Sequence, residues 1–296
     1  MSKGLLDPKV DFVFKNIFGS PNHPEILISF LNATLKAKKK IVNVDIKKTD
    51  IEKQYIEDKY SRLDVKATTS NDEIINIEIQ LKNENNMVKR SLYYLSKMYE
   101  EQLNEKEDYS KLVRTVCINI LNFKYLKTDN FHTGYRFKEI ESNEELTDIM
   151  EVHFIEIPKL QDSSDEKDML VAWTEFLKDP ESEKVRGLEL SIEEIRQAKD
   201  ELIRMSNDST QRELYDMRAN SLRDKMSELN AAERKGIEKG REEGREEGRK
   251  EGRKEGIEQG RKEEKIKIAR NMKLSGLDTN TIAKITNLSE CEINKL

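Results

Sequence analysis

The chain has 296 residues, of which 38% are charged and 35% apolar, against ~25% and ~45–50% in an ordinary globular domain. That imbalance excludes one compact globule of this length and calls for a normal core diluted by a large solvated segment, with about two domains overall. With 53 Lys and Arg against 58 Asp and Glu, the net charge of −5 gives no bulk basic surface, so any nucleic-acid contact has to be local. The longest nearly apolar run, Val116–Leu121, is far shorter than the ~20 residues of a membrane span. The start Met1-Ser2-Lys3-Gly4 carries no apolar signal core, and the expected location is cytoplasmic. Cys117 and Cys291 are too far apart in sequence to suggest a disulfide framework or metal spacing, and His23, His132 and His153 show no partner spacing.

In chain order, Phe12, Phe14, Ile17 and Phe18 predict a short helix ending at Gly19, and a second helix over Ile26–Leu35 stands behind Pro24. Ile41–Ile46, Leu63–Thr68 and Ile74–Leu81 alternate with period two and read as strands, with a hairpin turn at Asn71-Asp72 between the last two. Met87–Leu103 is helical, with Leu92, Leu95, Tyr99 and Leu103 on one side. Val113–Leu121 reads as a strand covered on both faces, and His153–Ile157 as a final strand. This order gives an α/β fold with a mixed sheet flanked by helices.

Residues 190–233 read as helical, with a possible capping box at Ser191-Ile192-Glu193-Glu194. Glycine then recurs at 236, 240, 244, 248, 252, 256 and 260, every fourth residue, between charged triplets such as Arg241-Glu242-Glu243. Each Gly costs about 1 kcal/mol against Ala in a helix, while pairs such as Glu242 with Arg245 support one. A long solvated helix stabilised by self-association is the favoured reading; a flexible charged tether is the alternative. Beyond it, Ile266, Ala269 and Met272 form a stripe closed by Gly276, Asp278 caps a helix with Ile282 and Ile285, and Ser289–Glu292 forms a second capping box. The organisation expected is a domain over 1–178, a helical connector over 179–235, the glycine repeat over 236–265 and a small helical tip over 266–296. The short segment after Ser289 carries Glu290 and Glu292, which repel phosphate, so the tip reads as a hydrophobic cap for self-association rather than a DNA reader.

Two strands carry ionisable groups at positions of one parity. Asp64 and Lys66 share a face of one strand, and Glu78 and Gln80 share a face of the next. That face is either the wet side of an antiparallel sheet or a site. A carboxylate on one strand and Glu-x-Gln on the next, with helices on either side, is similar to the PD-(D/E)XK nuclease core. The similarity extends further. Asp7-Pro8 with Asp11–Gly19, Leu63–Ala67, Asn76–Gln80, Arg90 with Tyr93-Tyr94, Asp108-Tyr109 before Val116–Leu121, and Glu151–Leu160 together resemble the Rpn family of recombination-promoting nucleases, PD-(D/E)XK transposase-like proteins. The resemblance covers roughly 5–178, including Trp173–Leu177.

The resemblance implies a restriction-endonuclease-like fold and a divalent-metal-dependent DNA endonuclease linked to recombination, mobile elements or phage defence. A catalytically weak DNA-binding or regulatory oligomer of the same fold is the alternative. It implies Asp64, Glu78 and the Ile79 backbone carbonyl as ligands of Mg²⁺ (or Mn²⁺ or Ca²⁺), with Gln80 at the usual Lys position. Gln brings hydrogen bonds but no charge. Lys66, on the Asp64 face, is a candidate for the missing ammonium or else a surface lysine. Asp11 and Lys15 are a candidate additional acid and DNA contact or else a surface pair. Arg90, Tyr94 and Lys97 recur at helical spacing as candidates for a phosphate-facing edge, with at least one of Tyr93 and Tyr94 expected in the core. Lys36 with Lys38-Lys39-Lys40 could touch a DNA backbone or simply solvate a helix end.

Overall fold

The computed structural model describes residues 4–37, 39–47, 65–165 and 167–296, apart from the side chain of residue 225. Leu63 and Asp64, at the start of an expected strand, and Lys38 of the basic cluster lie outside the described residues. The chain divides into two compact units, Met1–Asp224 and Lys225–Leu296.

In the first unit, α1 (Asp11–Phe18) and α2 (Pro24–Leu35) precede β1 (Val44–Lys47), β2 (Val65–Thr69) and β3 (Ile74–Gln80). Then come α3 (Met87–Glu100), β4 (Thr115–Leu121), β5 (His132–Lys138) and β6 (Glu145–Glu156). Helices α4 (Met169–Lys178), α5 (Glu183–Glu189) and α6 (Glu193–Asn207) follow. The six described strands form one mixed sheet in the order β1-β2-β3-β4-β6-β5. β3, β4 and β6 are parallel, and β1, β2 and β5 pair antiparallel at the two sides. The β2–β3 connection is the expected tight turn: Asp72 takes a left-handed φ of 61° and its N–H donates to the Thr69 carbonyl at 3.0 Å.

A parallel ladder must be covered on both faces, and β4 is buried at every position. One face is a sheet of Ile75, Ile77, Ile79, Val116, Ile118 and Ile120 packed in the main core. Phe14, Phe18, Phe30 and Trp173 of α1, α2 and α4 interlock there, with ring centroids 4.5–5.4 Å apart around Phe18, and the Trp173 indole N–H donates to Ser29 Oγ at 3.2 Å. Val185, Leu188, Ile195, Ala198, Leu202 and Met205 of α5 and α6 belong to the same core, so this compact unit reaches past residue 178. On the opposite face, Cys117, Leu121, Val152 and Phe154 pack beneath Met87 and Leu95 of α3.

The structure adds a strand and lengthens another. The expected final strand His153–Ile157 is the end of a strand that begins at Glu145, and β5 was not expected at all. β5 is an edge strand whose residues from Gly134 on are exposed, so it leaves no buried stripe in the sequence. The Ser191 capping box does not form: Ile192 occupies the N-cap position of α6 without a side-chain cap, while the Ser191 hydroxyl donates to the Leu188 carbonyl.

The glycine repeat lies within one continuous helix, α7 (Ser209–Leu274). In the second unit it is followed by α8 (Thr279–Thr286) and α9 (Glu290–Asn294). The helix stops as expected at Gly276, whose φ is +84°, Asp278 caps α8 through Thr281 N–H, and the Ser289–Glu292 capping box is complete. Ala269, Ile282, Leu288 and Ile293 make a small core. A Cβ built on any repeat glycine meets nothing within 4 Å. Replacing Gly240, Gly244, Gly248 and Gly252 by Ala is therefore expected to stabilise the helix by about 0.8–1 kcal/mol per site. Far-UV circular dichroism melts of the full chain check this, and an unchanged or lower melting temperature would contradict it.

Candidate functional site

The register of β3 on its neighbours places the expected polar row on the α3 side of the sheet. Lys66 is opposite Asn76, and Asn76, Glu78 and Gln80 lie beside Cys117, Asn119 and Leu121 of β4. This is not a wet face. Glu78 has 0% exposure, so the choice left open between a solvated face and a site falls against the solvated one. Ser91 on α3 donates to Asn119 Oδ1 at 2.8 Å, and Asn119 Nδ2 donates to the His153 carbonyl at 3.1 Å. These bonds tie the helix to the strands beside Glu78.

Glu78 is faced by Arg90 of α3. Its Oε2 lies at an ion-pair distance of 3.1 Å from Arg90 Nη2, while neither Oε1 nor Oε2 has a partner in hydrogen-bond geometry among the described residues. The same guanidinium donates through Nη1 to Gln80 Oε1 at a long 3.4 Å, and its Cζ sits 5.4 Å over the Tyr94 ring. Burial pushes the Glu78 carboxyl up to about 7, against the lowering influence of Arg90 and Asn76.

The other expected site residues are distributed as follows. Asp64 lies outside the described residues. Lys66 Nζ is 3.7 Å from Glu101 Oε2, a carboxylate it shares with Lys97 at 3.8 Å; Lys97 also pairs with Glu100 at 3.0 Å. Tyr94 is buried at 4% exposure, beneath the Arg90 guanidinium, which corrects its expected place on a DNA-facing edge; Tyr93 is the exposed member of the pair. Asp11 and Lys15 lie on α1, which packs in the core on the opposite face of the sheet, and Asp11 pairs with Arg218 at 3.0 Å. Lys36 pairs with Asp168 at 3.1 Å. A groove of about 820 Å³ beside that pair mixes Glu25, Asp165 and Asp168 with Lys36, Lys40 and Lys167; its mixed charge suits neither a metal nor a phosphate chain.

A second polar cluster escaped the sequence reading. Glu151 of β6 accepts from Arg114, which also reaches Glu73, and from Arg136 Nε at 3.0 Å. His153 Nε2 is 2.7 Å from Glu151 Oε1, and its Nδ1 is 2.9 Å from His132 Nε2. His132 and His153, 21 positions apart, thus partner one another across adjacent strands. Only the strand pairing that the sequence did not reveal joins them. Burial works against the Glu151 charge, yet His153 and Arg114 outweigh it and hold Glu151 down to about 2. Burial, together with His153, pushes His132 down to about 4. By strand alternation this cluster shares its face with Ile155, across the sheet from Glu78.

With this geometry in place, the comparison with known families is decisive. Residues 8–232 match the PD-(D/E)XK nuclease family transposase. The chain belongs to that family. Residues 262–296 match the C-terminal HTH domain of the Rpn/YhgA-like nuclease family, which gives the tip, read from sequence as a self-association cap, a family counterpart of the DNA-reading type. No curated protein and no solved structure matches the chain. Nucleases of this family generally use divalent metals. Among the described residues no group of three or more His, Cys, Asp or Glu is placed to hold an ion, and no helix is long and apolar enough to cross a membrane. The donor set nevertheless suits a hard cation: Glu78 offers a buried oxygen with no hydrogen-bond partner among the described residues, and Mg²⁺ takes oxygen ligands.

The raised Glu78 value has a signed consequence. A carboxyl whose folded pKa lies above its ordinary 4.5 contributes stability that is fully present below that value and lost as pH rises through about 7. The metal-free protein is expected to lose about 3 kcal/mol of Glu78-linked stability between pH 4.5 and about pH 8. His132, with its lowered value, acts in the opposite sense, losing stability as pH falls below 6.5. The Glu78 contribution is therefore read as the difference between wild type and Glu78→Gln in urea denaturation with chelator. A difference that does not change with pH would refute the assignment.

Proposed function

We propose that this chain is a divalent-metal-dependent DNA endonuclease that hydrolyses phosphodiester bonds in recombination, mobile-element biology or phage defence. The observation that carries the reading is Glu78. It stands in the Glu-x-Gln segment of a chain that belongs to a nuclease family, fully buried, with Oε1 left without a hydrogen bond among the described residues. A charge is not held in such a position for stability alone, because burying it costs several kcal/mol.

In this reading Glu78 and the Ile79 backbone carbonyl would hold the metal together with Asp64, which lies outside the described residues. Mg²⁺ or Mn²⁺ there supplies Lewis-acid polarisation of the phosphate and a nucleophilic water at neutral pH. Gln80 adds hydrogen-bonding capacity beside the carboxylate without adding charge. DNA as the partner is supported independently by the HTH match over 262–296. The glycine-striped helix is further proposed to associate with a second copy of itself, which would bring two nuclease sites to one duplex.

Plasmid nicking with Mg²⁺, Mn²⁺ and chelator tests the reading. Asp64→Ala and Glu78→Ala are expected to lower cleavage by about a hundredfold or more, since a metal ion supplies several kcal/mol of charge stabilisation. Glu78→Gln is the cleaner variant where Glu78→Ala leaves a cavity under α3. Wild-type cleavage by a pure Asp64→Ala preparation would overturn the assignment. For the tail, light scattering is expected to give at least a dimer for the full chain and a monomer for a chain ending near Met226; equal monomeric masses would remove the tail as an oligomeriser.

A further inference from the structure

The Glu-x-Gln segment lacks the positive charge that the Lys of the family's usual pattern brings to the site, and the structure supplies one from elsewhere. One guanidinium touches both residues: Arg90 Nη2 lies 3.1 Å from Glu78 Oε2, and Nη1 lies 3.4 Å from Gln80 Oε1. Lys66, the candidate ammonium from sequence, lies 3.7 Å from Glu101. Arg90 is placed by a helix rather than by the strand, and its side chain retains 23% exposure whereas Glu78 has almost none. The Tyr94 ring, 5.4 Å from its Cζ, gives the guanidinium a support independent of Glu78, since a cation over an aromatic face is held by the ring quadrupole.

These contacts make the pair exchangeable. The Glu78 oxygen that Arg90 neutralises belongs to the carboxylate proposed to hold the metal, so guanidinium and divalent cation compete for one group. Displaced from Glu78, Arg90 keeps Gln80 and Tyr94 beside it, and its guanidinium suits phosphate oxygens, which it binds in a forked geometry.

We infer that Arg90 is the exchangeable cation of this site: it occupies Glu78 in the metal-free protein and serves the DNA phosphate once Glu78 holds a metal. The inference rests on the metal-nuclease reading above. It separates Arg90 from a merely structural counter-ion, because a counter-ion that only positions Glu78 would favour metal binding, whereas a competitor opposes it.

The test is calorimetric titration of the full chain with Mg²⁺ at pH 9, above the value of about 7 to which burial pushes Glu78, beside plasmid nicking of the same preparations. Arg90→Gln is expected to bind Mg²⁺ roughly tenfold more tightly, the scale of a typical coupling between two ligands, while cleaving far more slowly. Arg90→Lys, which keeps a cation but loses the fork, is expected to fall between the two in both measurements, and it serves alone if Arg90→Gln fails to fold. Unchanged or weaker Mg²⁺ affinity in Arg90→Gln, or undiminished cleavage, would overturn the inference while leaving the nuclease reading standing. Lost cleavage in Lys66→Ala with retained cleavage in Arg90→Gln would return the cation role to Lys66. A wild-type chain that neither binds Mg²⁺ nor cleaves would instead bring down the nuclease reading itself.

Discussion

The ion pair between Glu78 and Arg90 is the interaction on which the arrangement of the α3 face depends. β3 lies between an antiparallel and a parallel neighbour, so a side chain at its centre has no route to solvent except past whatever covers the sheet. A carboxylate there would be neutralised by a proton or by a cation, because an unpaired buried charge is too costly to keep. α3 provides the cation. Its apolar residues Met87 and Leu95 pack on Cys117, Leu121, Val152 and Phe154, and Arg90 and Tyr94, between them on the same helix, stand over the polar row. Covering the sheet and neutralising Glu78 are thus done by a single helix.

The two faces of the sheet differ in what covers them. The isoleucine face is locked by the Phe14, Phe18, Phe30 and Trp173 cluster and by buried side chains from α5 and α6. On that same face the Glu73, Arg114, Glu151 and His153 network ties β3, β4 and β6 together at the starts of the first two strands. Breaking such a buried network costs about 3–5 kcal/mol, against a few tenths for an exposed pair. The Glu78 face is more polar and, among the described residues, is covered by α3. A buried carboxylate can be carried there because its scaffold is fixed from behind.

Much of this was legible in the sequence, and the misses share a physical cause. β3 and β4 were readable because alternation and a continuous apolar run are local signals, and Gly276, Asp278 and Ser289 marked helix ends by local chemistry. Alternation cannot say what covers the polar side: Asn76-x-Glu78-x-Gln80 looks the same under water as under a helix. Arg90 was visible only as one basic residue among several, since its meeting with Glu78 requires the turn between β3 and α3 to fold back. Strand parity puts Lys66 on the same face, but parity does not tell which way a long side chain leans, and its Nζ lies 3.7 Å from Glu101. The His132–His153 contact depended on β5, an exposed edge strand with no buried stripe to announce it.

A lysine at position 80 would neutralise Glu78 from its own strand, two residues away and fixed to the same backbone. Gln80 removes that possibility, and the neutralising charge then has to come from a separate element. That difference matters chemically. A cation on the same strand is held at a nearly constant distance from the carboxylate, whereas one on a long side chain from α3 can leave it by rotamer change alone, with no movement of the sheet. Metal-free, the carboxylate has a cation beside it, and that pairing lies on Oε2 alone. Replacing Lys by Gln therefore does not simply weaken the pattern. It moves the positive charge to a position from which it can be exchanged, at the cost of making the site's resting state depend on a second element of the fold.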